Sequence, residues 1–438
     1  MAGHELIPDF TALASNDVAG LVVACSGGLD SIALLHALAT SSQTGDRKLR
    51  AIHVHHGLHP DADAWAAYCQ RACDELGVPL RIVRIEVPRD GGEGLEAAAR
   101  RARHAAFEAE LGDSEALALA HHRDDQAETF LLRALRASGP DGLGAMRPWR
   151  RFGRGWLWRP FLDRSRAELL AYARHHRLQW IDDPSNSDTA FDRNFLRQRV
   201  LPLLRERWPQ ADAGFARSAA LCADASDLLA EDDTQALDML LAAAGGDDLH
   251  SLSRAALRAL APARRARVLR HWIATLKLPP LPAEGVARIE HEVLDARDDA
   301  DPQFAWHGAS VRGWRDLLHA DWQHAPLPVD WRIEWNGEAP ATLPDNASLQ
   351  LHGASRFDTP LLVHARQGGE RITLPGRSHS HALKQVLQDI GVPPWLRERL
   401  PLLSDAQGEL LATGDLIRSA RFEQWLREHD ARLSWTRD

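Results

Sequence analysis

The chain is predicted to be an α/β protein: a doubly wound parallel sheet, followed by a helical domain and a small mixed α+β C-terminal domain. Three observations predict this. Short apolar runs alternate with helical stretches between residues 21 and 136, a glycine-rich turn closes the first run, and the sequence texture changes near residues 210 and 330. Strands alternating with helices of this length give parallel sheets, whose ligands sit outside the carboxyl ends of the strands. A chain of 438 residues exceeds what one core organises. The expected domains are 1–209, 210–327 and 328–438.

The elements follow in order. Leu21 to Cys25 is a short apolar strand ending in Ser26-Gly27-Gly28, and Ile32 to Leu38 is a buried helix face. Arg50 to His55 is a second strand, Asp63 to Leu76 a helix, Leu80 to Val87 a third strand and Gly94 to Leu111 a helix. Ala116 to Ala120 is a fourth strand, and Asp125 to Arg136 the helix after it. From Asp212 to Leu276 the pattern is helical throughout. An acidic stretch from Asp224 to Asp238 and a basic one from Arg254 to Arg270 flank a break at Gly245-Gly246. Such charge runs read as solvated helix faces. From Asp330 the chain alternates, as in Trp331-Arg332-Ile333-Glu334-Trp335, turns become frequent, and a helix is expected from Ser380 to Ile390.

Composition excludes some classes. With 45% hydrophobic and 26% charged residues the chain is globular. No apolar run approaches the roughly 20 residues of a membrane span, so no membrane partner is expected. The first ten residues do not read as a secretory signal. Four cysteines, Cys25, Cys69, Cys73 and Cys222, are too few for a disulfide scaffold and fit a reducing cytoplasm. A net charge of −9 argues against a polyanionic partner, but local patches decide such contacts, and all cations except Lys48, Lys277 and Lys384 are arginines.

The strongest local signal is Ser26-Gly27-Gly28-Leu29-Asp30-Ser31 between a strand and a helix. Paired glycines let backbone N–H groups approach a phosphate, and the helix dipole adds to the attraction. Ser26 and Ser31 supply hydroxyls, and Asp30 is suited to hold a Mg²⁺ that bridges phosphates. The alternative is an ordinary βα turn built from turn-forming residues. Asp125 and Glu128, three apart on a helix, share a face at a strand's carboxyl end. Their alternative reading is dipole compensation at a helix N-terminus. His121, His122, Asp124 and Asp125 lack the spacing of a zinc site. Arg151, Arg154, Arg159 and Arg164, interleaved with Phe152, Trp156 and Trp158, have the cation-plus-aromatic texture of a nucleic-acid surface.

The hexapeptide resembles the SGGxDS motif of PP-loop ATP pyrophosphatases, which have an adenine nucleotide hydrolase-like fold and cleave ATP between its α and β phosphates. Four further stretches narrow the family. They are His53-Val54-His55-His56-Gly57-Leu58, Glu96-Ala97-Ala98-Ala99-Arg100, the run from His121 to Thr129, and Asp183-Pro184-Ser185-Asn186 leading into Arg193-Asn194-Phe195-Leu196-Arg197. All are similar to motifs of the bacterial tRNA(Ile)-lysidine synthetases. Arg366-x-Gly368-Gly369-Glu370-Arg371, Leu374-Pro375-Gly376, Lys384 and Val392-Pro393-Pro394-Trp395 are similar to that family's terminal domain. His55 stands where the family commonly has Asn.

The resemblance implies a ligase that uses ATP and Mg²⁺ to join free L-lysine to the wobble cytidine of the isoleucine tRNA with a CAU anticodon. Ser26, Gly27, Gly28, Leu29, Asp30 and Ser31 would bind ATP, and Asp125, Glu128 and Arg193 would bind lysine. Asp30 (through the metal) and Asp125 would be catalytic, and Arg366, Arg371, Arg377 and Lys384 would contact tRNA. Two rivals are a PP-loop tRNA thiolase and a non-catalytic nucleotide-binding protein. An iron–sulfur thiolase needs a Cys-x-x-Cys pair, whereas Cys69 and Cys73 lie four apart. The acidic pair and the long C-terminal extension speak against a non-catalytic protein.

Overall fold

The computed structural model describes residues 6, 8, 10–87, 95–184, 188–245, 248–297 and 300–437, with the side chains of 95–97 excepted. Gly94, Ser185, Asn186 and Gly246, and the side chain of Glu96, therefore lie outside the described residues. The chain forms two compact units, Met1–Ala230 and Glu231–Asp438.

The first unit is built on one six-stranded sheet. Its strands are β1 (Gly20–Ala24), β2 (Lys48–His55), β3 (Leu80–Arg84), β4 (Glu115–Ala118), β5 (Trp149–Phe152) and β6 (Gly155–Trp158), in the order β3-β2-β1-β4-β6-β5. All pairings are parallel except β5 with β6. Its helices include α1 (Leu29–Thr40), α2 (Ala62–Glu75), α3 (Leu95–Glu110), α4 (Arg123–Leu135) and α5 (Arg166–His175). Period-two alternation along β1 sends Leu21 and Val23 into a core with Leu34, Leu38 and Phe161, and Val22 into a second core with Ile52, Phe107, Leu117 and Leu157. Apolar side chains on both faces are the mark of a covered parallel sheet. Strand order reverses between β1 and β4, which places the topological switch point at their carboxyl ends.

The hairpin of β5 and β6 divides the Arg151 to Arg164 stretch. Phe152, Trp158 and Arg159 are buried, Trp156 and Arg164 are half-buried, and Arg151 and Arg154 are exposed. Arg151 does lie over the Trp156 ring at 4.0 Å. Cys25, Cys69 and Cys73 are buried beneath the glycine-rich turn, and Cys222 is half-buried. A hydrogen bond with Cys69 and burial push the Cys25 thiol up to about 12.

The second unit has two separate apolar cores. One joins Ala236, Leu237 and Leu240 to Val268, Leu269 and Trp272 and to a four-stranded antiparallel sheet. Its strands are Ser251–Ser253, Gln303–Trp306, Ala309–Trp314 and Leu317–Trp322. Of these strands, Ser251–Ser253 was hidden by its brevity within the stretch read as helical, and the other three follow that stretch in the domain expected to be helical. The charge runs are also partly internal, for Asp233 accepts from Arg267 at 3.0 Å and Arg254 donates to the carbonyls of Val293, Leu294 and Ala296. The other core packs a five-stranded and a three-stranded sheet against the helices Leu383–Asp389 and Ala420–Glu428. The first of these helices starts later than expected because His381–Ala382 pairs with Arg371–Ile372. Among the described residues no helix is long and apolar enough to cross a membrane.

Candidate active site

The turn after β1 is shaped by Gly27, whose φ of +87° strains any side chain, and whose added Cβ would lie 2.8 Å from Ile181 Cδ1. The Ile181 N–H donates to Gly27 O at 2.9 Å and seats the loop. The Ser31 hydroxyl donates to Gly28 O at 2.9 Å, and the Ser26 hydroxyl donates to Ser31 Oγ at 3.1 Å, so the two serines brace the turn. Gly28 is extended, and α1 begins directly after it with its first N–H groups facing the same space.

Asp30 sits in the first turn of α1. Its Oδ1 is buried without a hydrogen-bond partner, and its Oδ2 lies 3.7 Å from His122 Nε2. A bare, orphaned carboxylate oxygen beside a phosphate loop fits a Mg²⁺ ligand, since Mg²⁺ takes one or two carboxylates and fills its shell with phosphate and water. Among the described residues no group of three or more His, Cys, Asp or Glu side chains is arranged to hold a metal by itself.

The second half of the site follows β4. His122 caps α4, its Nδ1 accepting from the Asp125 N–H at 3.3 Å while the Asp125 Oδ2 accepts from the His122 N–H at 3.1 Å. The capping box therefore aims Asp125 and, one turn on, Glu128 at the switch point. Burial would depress His122, but its close contact with Asp30 and the charges of Asp125, Asp30 and Asp124 prevail and raise its pKa.

Asp125, Glu128 and Arg193 come together, and a fourth residue joins them. Arg193 donates through Nε to Glu128 Oε2 at 2.7 Å and through Nη2 to Asp125 Oδ1 at 3.1 Å. Arg197 donates to Glu128 Oε1 at 2.6 Å and to Asp125 Oδ1 at 3.0 Å. Both carboxylates are thus engaged by guanidiniums, and Glu128 is fully buried. The acidic pocket expected from the sequence is a charge-balanced quartet instead. Burial would raise the Asp125 carboxyl, but His122, Arg193, His121 and Arg197 hold it down at about 2. So acidic a group is a weak acceptor for an amine's proton, which favours electrostatic attraction over general-base work for Asp125. Arg197 carried a signal, since Arg193 and Arg197 are spaced i,i+4. Their segment passes from the helix Asp192–Phe195 into a wider π-helical turn, Leu196–Val200, of a kind often found at functional sites.

The upstream histidines have structural partners. His53 Nδ1 is 2.9 Å from Cys25 O, and His55 Nε2 is 3.1 Å from Asp63 Oδ1. In the C-terminal region Arg371, Arg377 and Lys384 are exposed, while Arg366 is half-buried. Arg371 bonds Ser380 through Nε at 2.9 Å, and Gly368, Gly369 and Gly376 all have positive φ.

A glycine turn between a parallel strand and a helix, an orphaned aspartate in that helix and a charged quartet across the switch point define a PP-loop nucleotide-using enzyme. Residues 6–204 match the PP-loop domain model, 252–319 the TilS substrate binding domain and 361–435 the TilS substrate C-terminal domain. Over 419 residues the chain is 57% identical to a tRNA(Ile)-lysidine synthase of Xanthomonas campestris pv. campestris, covering 95% of each. It is 50% identical to one of Xylella fastidiosa, covering 95% of this chain and 94% of that one. With one of Pseudomonas aeruginosa it shares 43% identity over 96% of this chain and 94% of the other. The chain belongs to the tRNA(Ile)-lysidine synthase family.

Proposed function

We propose that the chain ligates L-lysine to the wobble cytidine of the CAU-anticodon isoleucine tRNA, at the expense of ATP, in the cytoplasm. The chain is an ATP-dependent ligase of its family, and the finer reading rests on one observation. The phosphate loop after β1 and the Asp125–Glu128–Arg193–Arg197 quartet after β4 occupy adjacent strand ends on one sheet. The loop suits an anionic nucleotide and the quartet suits a zwitterion bearing two ammonium groups and one carboxylate.

In the first step the cytidine O2 attacks the α-phosphorus and pyrophosphate leaves. In the second, the lysine ε-amine attacks C2, and AMP departs with the former O2. Backbone N–H groups of Gly27 to Ser31 would hold phosphates, and Asp30 would hold Mg²⁺, which when bound offsets phosphate charge. The lysine ammonium would compete with a guanidinium for Asp125 and Glu128, and the released Arg193 would take the lysine carboxylate bidentately. Arg366, Arg371, Arg377 and Lys384 would contact tRNA phosphates. We divide the chain accordingly into a catalytic domain, 1–209, and tRNA-contacting domains, 210–327 and 328–438.

Incorporation of radiolabelled lysine into bulk tRNA, dependent on ATP, tests the proposal. Sulfur transfer without lysine uptake would favour a thiolase, but the Cys69 and Cys73 side chains are wholly buried. ATP binding with neither activity would leave a nucleotide-binding protein.

A further inference from the structure

His121 lies just past β4, after Leu119 and Ala120, and carries an unusual constraint. The Arg159 Nε–H donates to its Nδ1 at 3.0 Å. A guanidinium has no acceptor, so Nδ1 must accept, and the ring proton must sit on Nε2. Burial and the charges of Arg159, Arg193 and Arg100 push His121 down to about 3 against the opposing Asp125, so the ring stays neutral. Nε2 has no hydrogen-bond partner among the described residues, and His121 is partly exposed. His121 is thus an obligate N–H donor left open at the carboxyl end of β4.

The surroundings define what it would meet. Arg159 is 8% exposed, donates to Arg147 O at 2.6 Å, and is pushed down to about 10 by burial and by Arg150, Arg100 and Arg133. Arg133 is lowered by burial and by Arg100. None of Arg100, Arg133, Arg150 and Arg159 makes an ion pair among the described residues, and the Arg133 Nη1 donates to the carbonyls of Gly142 and Ala145. Guanidiniums gathered with only Glu108, beside Arg150, to oppose them among the described residues are costly, and an anion relieves the cost.

We infer that Arg159 is a positioning residue that locks the His121 ring so that Nε2–H donates to a phosphoryl oxygen of the substrate. The inference rests on the proposed ligation, in which two substrates bring phosphoryl oxygens, ATP and the tRNA backbone. A donor fixed before the substrate arrives needs no reorganisation as charge grows on that oxygen, which is the condition under which one N–H is worth most.

The test measures tRNA adenylation from α-labelled ATP, together with the affinities for ATP, tRNA and lysine. Wild-type adenylation is the control for the function itself, and its absence would overturn that reading rather than this one. With the control active, H121L should slow adenylation about 100-fold, and H121Q, which keeps an N–H, only a few-fold. A weaker ATP affinity in H121L would assign the donor to the nucleotide, and a weaker tRNA affinity to the backbone phosphate. In histidine-¹⁵N spectra, the His121 ring, assigned among the 22 histidines by its loss in H121Q, should show the proton on Nε2. R159L should release that ring to a tautomer mixture and slow adenylation as H121L does, while R159K restores both in part. Equal damage from H121L and H121Q, a change confined to lysine affinity, or an unaltered His121 spectrum in R159L would overturn the inference.

Discussion

Asp30 and Asp125 flank the His122 ring, at 3.7 Å and 3.4 Å from its Nε2, yet they face different tasks. Asp30 keeps one oxygen bare, whereas Asp125 has both oxygens engaged. Asp30→Ala should therefore abolish pyrophosphate release with the fold intact, and unchanged turnover at saturating Mg²⁺ would remove its metal role. Folding holds the Asp125 pKa at about 2, below its ordinary 3.8, so its ionised contacts stabilise the fold fully above roughly pH 4 and are lost as pH falls through 2. The stability gap between wild type and Asp125→Asn should accordingly narrow by about 2 kcal/mol across that window in denaturant titrations. At Glu128 an alanine would leave two half-buried guanidiniums facing a void, so glutamine is the cleaner probe. Glu128→Gln should leave adenylation near wild type and raise the KM for lysine by about tenfold, as expected for one lost charge-assisted bond. Failure of adenylation with an unmoved lysine KM would reassign the quartet to ATP.

At the scale of elements, what the sequence made legible was whatever local chemistry determines. The four parallel strands and their helices were readable because each strand is an apolar run and each helix has a periodic face. The glycine turn was readable because only glycine adopts the φ of Gly27 without strain. Gly27→Ala should weaken ATP binding by at least tenfold, measured by calorimetry, because a side chain is strained at its φ of +87° and the turn that presents the N–H groups must shift. The hairpin of β5 and β6 was not readable. Arg150, Arg151 and Arg154 disguised it as a loop, and its inward face shows only once β6 pairs with β4. The partnering of Asp125 and Glu128 by Arg197, 69 to 72 residues away, showed only as its i,i+4 spacing from Arg193, since spacing within one helix does not say what packs across it.

For the molecule as a whole, a net charge of −9 means that contact with tRNA depends on where cations are exposed rather than on their number. Arg371, Arg377 and Lys384 are exposed around glycine-bearing turns in the second unit. Replacing all three with alanine should weaken tRNA binding and flatten its salt dependence by roughly 0.7 to 0.9 per lost phosphate contact, while ATP affinity holds. An unchanged slope would mean that these side chains are only solvated. The cysteines have a further consequence for the molecule. All four lie within Met1–Ala230 and none within Glu231–Asp438, and three of them are sealed in a core. A thiol-reactive dye therefore has one half-accessible target, Cys222, on the native chain, and gains three more only when the first unit opens. Followed during a denaturant titration beside the tryptophan fluorescence of the whole chain, dye uptake times the opening of one unit without a signal from the other.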